Sequence, residues 1–173
     1  MAKENGSPAF WFFLIAIAAV SAALWSGVTA PPVRAAGGAI VVIVNSANPV
    51  DNLTTSELKK LYLSDRTRWE TGKAVAPVML TPGAPERTAF LKTVCGMNDS
   101  DFSNYFMQAA FTGKSATPPK EVTSASALKS FVADTPGAIG FLKAGDFQGN
   151  EAGIKAVKID GAAATDAGYK LKM

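Results

Sequence analysis

Apolar positions along the chain fall into one long run and several short ones, and the lengths separate the two kinds of element. Ala9–Val28 runs twenty residues without a charge, enough for a helix to cross a bilayer core of roughly 30 Å. Trp11 and Trp25 stand near its two ends, where indoles prefer the membrane–water interface. Ala39–Asn45 (AIVVIVN) is a continuous β-branched run that reads as a strand buried on both faces. Ala74–Leu80 reads as a second strand, at an edge or a bulge because of Pro77. Ala138–Leu142 and Ile154–Ile159 read as a third and a fourth, and Tyr169–Leu171 is a candidate fifth.

Helical spacing fills the gaps. Thr54-Thr55-Ser56-Glu57 has capping-box spacing and opens a helix to about Leu63, with Leu58, Leu61 and Tyr62 inward. Pro85 suits a first helical position, and that helix runs to Val94 and stops near Gly96. Asn98–Asp101 offers caps for a helix carrying Phe102, Tyr105, Phe106 and Ala109 at helical spacing. Ser124 caps a last helix with Leu128, Phe131 and Val132 inward, ended by Pro136-Gly137. Ser46–Asn52, Ser64–Lys73 and Phe111–Pro119 read as loops. Strands alternating with helices predict an α/β sandwich.

The predicted layout is therefore a short cytoplasmic N-terminus (1–8), a transmembrane helix (9–28), a Pro/Gly linker (29–38) and one domain (39–173). Insertion of the apolar run is favoured by about 3–5 kcal/mol from its large apolar side chains. A signal cleaved after Ala35 is the alternative, but a signal core usually has only about 7–15 apolar residues. Charge does not orient the helix, since Lys3 on one side matches Arg34 on the other.

Composition removes several classes of chemistry. There is no histidine and a single cysteine, Cys95, which excludes Ser-His-Asp triads, Cys-His dyads and the usual zinc sites. Cys95 lies in an apolar series and reads as a core residue. The net charge is only +3 and no basic run is longer than Lys59-Lys60, so nucleic acid is not an expected partner. Carboxylates are spread singly, leaving no acid–base pair, and no cofactor is expected. Thr112-Gly113-Lys114-Ser115 ends like a phosphate loop, but the first glycine of that motif is replaced by Gln108 and no strand precedes it.

The stretch Thr81–Ala84 before Pro85 is the best candidate for a ligand. A helix start presents free N–H groups and a positive dipole end, which suit an anion. Thr81, Gly83 and Arg87 are the candidate binding residues, Arg87 as a charged fork one turn in.

Four segments, VNSANPVDNLTTSELKKLYLSDRTRW, FTGKSATPP, TPGAIGFL and VKIDGAAATDAGYKLKM, resemble the phosphate-binding proteins of phosphate ABC transporters, especially their short single-domain relatives. The resemblance covers Ile40 to Met173. It implies a single periplasmic-binding-protein-like lobe, a mixed sheet flanked by helices, exported beyond the bacterial inner membrane and without catalysis. Gly83 and Arg87 match the short relatives. Ala84 and Pro85 stand where the family has hydroxyls and amides, and Glu86 would repel an anion. Two functions remain. One is a membrane-anchored accessory subunit of an integral membrane complex, whether transport, respiratory or photosynthetic. The alternative is capture of phosphate or another oxyanion for an ABC transporter.

Overall fold

The computed structural model describes residues 38–149 and 151–173. The expected cytoplasmic stretch, membrane helix and most of the linker lie outside them. Among the described residues no helix is long and apolar enough to cross a membrane.

Six strands form one mixed sheet: β1 (Ile40–Asn45), β2 (Asn52–Leu53), β3 (Ala76–Leu80), β4 (Lys120–Val122), β5 (Ala138–Lys143) and β6 (Ile154–Ile159). Their spatial order is β2-β6-β1-β5-β3-β4. The central β1 runs antiparallel to both neighbours, pairing Val42 with Phe141 on one side and with Val157 on the other. β3 is parallel to β5 and to β4, and β2 is parallel to β6. All six residues of β1 are buried, as its unbroken apolar run requires.

The helices are α1 (Thr55–Tyr62), α2 (Pro85–Phe90, continued by a π-helical turn Leu91–Cys95), α3 (Asp99–Phe111) and α4 (Ala125–Asp134). Their starts follow local chemistry. Thr54 and Glu57 form the capping box of α1, Asn98 and Asp101 that of α3, and the Ser124 side chain accepts from the Ala127 amide to start α4.

Adjacent residues of β5 show how the layers form. Side chains alternate across a sheet, so Gly140 and Phe141 face opposite ways. Phe141 stacks on Phe90 of α2 at 3.8 Å between centroids, with Tyr62 of α1 beside both. The Tyr62 hydroxyl donates towards Val78 O on β3 (3.2 Å) and Ile139 O on β5 (3.4 Å). Gly140 lies beneath Leu128 of α4, and Asn45 Nδ2 donates to the last turn of that helix at Val132 O and Ala133 O. Helices thus cover both faces.

Some expectations need correction. β3 is an interior strand, between β5 and β4, although Pro77 pointed to an edge or a bulge. The proline is tolerated because the β4 ladder begins only at Val78, so its missing N–H breaks no bond on that side. Tyr169–Leu171 forms no strand; the segment is held by Ile40 N–H donating to Leu171 O, one bridge at Lys172 and the buried Tyr169 hydroxyl on Ile40 O. Trp69, expected in a polar loop, is buried and donates from Nε1 to Gly137 O.

A candidate anion site at the start of helix α2

Because β3, β4 and β5 run the same way, Leu80, Val122 and Lys143 end along one edge of the sheet. Ligands of open α/β sheets usually bind outside such carboxyl ends. The loop Thr81–Ala84 leaves β3 there and delivers the chain into α2. The Thr81 amide still donates to Val122 O at 2.9 Å, and the Ala84 amide turns back to Thr81 O at 3.4 Å. Gly83 sits at φ 93°, a conformation few residues other than glycine adopt.

Three amides remain available. The first amides of a helix have no intrahelical acceptor, and those of Glu86 and Arg87 find none among the described residues. The Gly83 amide also has no acceptor among the described residues. Pro82 and Pro85 contribute none.

The charged residues are arranged differently from the sequence expectation. Arg87 is only 1% exposed. Its Nε donates to Asp99 Oδ1 at 2.5 Å, and its Nη1 donates to Leu80 O at 2.8 Å and Glu121 Oε1 at 2.6 Å. The guanidinium also lies 5.9 Å from the Phe102 ring centroid. Two of its three nitrogens therefore tie the end of β3 to the start of α3 and to β4. Nη2 makes no hydrogen bond to the described residues.

Glu86 is buried as well, and its Oε2 lacks a hydrogen-bond partner. Lys143, at the end of β5, approaches that oxygen to 3.7 Å. The negative charge next to the loop is thus partly offset by a lysine that nothing in the local sequence brings near it. The structure brings Thr81, Gly83 and the amide of Arg87 to one place, while the side-chain fork of Arg87 is engaged elsewhere. Sequence reasoning missed Lys143, Asp99 and Glu121, which reach this corner only through the sheet order.

Other sequence features resolve as structure. Lys114 of the phosphate-loop lookalike bonds Asp65 at 2.8 Å and the Tyr105 hydroxyl at 2.7 Å. Cys95 is buried, and burial pushes its thiol up to about 11. Among the described residues no three His, Cys, Asp or Glu side chains gather as metal ligands.

Comparison with known proteins places this geometry in context. No family model matches the chain. Solved structures do match in fold. A protein from Clostridium perfringens, described as a phosphate ABC transporter substrate-binding protein with bound phosphate, superposes with a TM-score of 0.59 at 24% identity. That match covers 77% of this chain and 49% of the other. An ABC-type phosphate transport receptor from Vibrio cholerae gives 0.59 at 22% identity, covering 77% and 50%. A protein from Planctomyces limnophilus described as a possible phosphate-binding protein gives 0.55 at 20%, covering 73% and 43%. The chain shares their fold. It spans about half the length of the solved proteins it matches. All three are described by binding or transport, and none as an enzyme.

Proposed function

We propose that this chain is a non-catalytic oxyanion-capturing lobe serving an ABC transporter, with phosphate or a related oxyanion bound at the start of α2. In this reading residues 9–28 hold the domain at the outer face of the bacterial inner membrane through the 29–38 linker. The observation that carries the proposal is that the Gly83, Glu86 and Arg87 amides have no acceptor among the described residues, in the loop and first helical turn that follow β3 at the carboxyl ends of β3, β4 and β5. Backbone amides at a helix start suit an anion without a side-chain cation, and the Thr81 hydroxyl adds a further donor. The fold shared with phosphate-binding proteins supports the same reading.

Calorimetry of the full chain with inorganic phosphate tests it. Saturable binding, weakened about threefold to tenfold by Thr81→Ala, supports capture. Absence of any heat at millimolar phosphate removes it.

A second reading, the membrane-anchored accessory subunit, is favoured by one observation. The Arg87 fork is already closed by Asp99 and Glu121, so the strongest anion-binding group is spent on the fold. Stoichiometric co-purification with an integral membrane complex in mild detergent, together with a silent phosphate titration, selects this alternative.

A further inference from the structure

At the opposite edge of the sheet, where β3 and β4 begin, lies a cleft of about 370 Å³. Its apolar wall is Leu61, Val75, Pro77 and Phe131, and its polar rim carries Arg66 and Lys120. No aspartate or glutamate lines it. Lys120 has no ion-pair partner among the described residues, and its Nζ sits 4.3 Å from the centroid of the Phe131 ring. Arg66 is held at the rim by its own Nε donating to Arg68 O at 3.1 Å. Its carboxylate contacts, Glu57 and Glu70, are long at 3.5 and 3.6 Å, and both belong to the neighbouring hollow beyond it.

Ser64, also in the lining, adopts φ 59° as the left-handed residue that closes α1, with its amide donating to Leu61 O and the Asp65 amide to Lys60 O. The Ser64 hydroxyl donates to Thr117 O at 2.6 Å, which fixes one wall of the cleft to the other.

We infer that this cleft is a second ligand site, separate from the α2 loop, and that it takes a small organic carboxylate with an aromatic or aliphatic body. The chemistry discriminates among ligand classes. A neutral apolar molecule would cover the wall but leave the Lys120 ammonium at the rim without a counter-charge. Inorganic phosphate would meet the cations but leave the apolar wall wet. A carboxylate on a compact apolar body satisfies both, and the volume lies near the lower end for small-molecule pockets.

The test is calorimetry on the full chain in mild detergent with sodium benzoate as the probe, beside benzyl alcohol and inorganic phosphate. Benzoate binds saturably, benzyl alcohol at least about tenfold more weakly, and Lys120→Gln weakens benzoate about tenfold. Lys120 is exposed, so the variant folds, and any phosphate heat from the α2 loop is unchanged in it. No saturable benzoate heat at roughly 10 mM overturns the inference, as does benzoate binding that ignores both Lys120→Gln and Arg66→Gln. A phosphate heat that disappears in Lys120→Gln would assign the cleft to phosphate and overturn the carboxylate class.

Discussion

Arg87 and Asp99 are joined by a 2.5 Å hydrogen bond from Nε to Oδ1, linking the first turn of α2 to the first residue of α3. The arginine is 1% exposed, whereas the side chains of Asp99 and Glu121 are 30% and 46% exposed. The buried cation is thus held by carboxylates that still touch water, and its role in the fold is larger than its role at the surface.

Removal of Arg87 should therefore be felt first as instability. Arg87→Ala is expected to lower unfolding free energy by about 2–4 kcal/mol, from the broken ion pairs and the void left behind. Urea denaturation measures it, and a loss below about 0.5 kcal/mol would contradict the structural role. Glu121→Gln is the informative companion. Its amide oxygen still accepts from Nη1 but one negative charge leaves the corner, so phosphate held at the loop should bind more tightly, and an affinity that does not rise would contradict capture there.

Two glycines near the core should respond very differently to alanine. A Cβ on Gly137 would lie 2.0 Å from the backbone oxygen of Ala74, which cannot move aside without breaking the corner that Trp69 closes. A Cβ on Gly140 would meet the Leu128 side chain at 2.7 Å and Val78 at 3.1 Å. Leucine can change rotamer, so Gly140→Ala is expected to cost about 1–3 kcal/mol. Gly137→Ala should cost more, up to failure to fold. Thermal unfolding ranks them, and the reverse order would refute the close approach at Gly137.

This contrast shows what the chain discloses before it folds. The starts of α1, α3 and α4 were legible because Thr54, Asn98 and Ser124 cap with their own neighbours. The β1 run was legible because burial on both faces demands apolar residues throughout. Strand β4, Lys-Glu-Val, was not, because three mostly exposed residues carry no hydrophobic pattern and owe their conformation to pairing with Val78–Leu80. The candidate site divided in the same way. The loop Thr81–Ala84 and Pro85 are local signals. The partners of Arg87 and Glu86 lie 12, 34 and 57 positions away in sequence, and no spacing rule reaches them.

Acid should loosen the corner at Asp160. Its carboxylate accepts from Lys170 Nζ at 2.9 Å, from the Thr55 amide at 3.0 Å and from the Thr55 hydroxyl at 2.8 Å. The bond from Lys170, followed by those from Thr55, holds its pKa down at about 2. A pKa depressed by folding contributes stability above the unfolded value of about 4 that is lost as pH falls towards the folded value. Asp160→Asn should thus be less stable than the parent at pH 6, with the gap closing between about pH 4 and pH 2. Denaturation midpoints across that range decide it, and a gap independent of pH would contradict the assignment.

Cys95 should behave as a concealed thiol. Burial raises its pKa to about 11, so at pH 8 both access and thiolate are suppressed in the folded chain. Labelling by a thiol reagent is expected to follow global unfolding, slowing as stability increases. Rapid labelling of the native chain at pH 8 would contradict the packing of the turn Leu91–Cys95.

The most direct measurement of the central claim is a ¹⁵N–¹H spectrum of the full chain titrated with inorganic phosphate. Anion capture at the α2 start requires the amide signals of Gly83, Glu86 and Arg87 to move together and saturate, while those around Lys120 stay in place. Signals at those three residues that remain fixed through millimolar phosphate would contradict it.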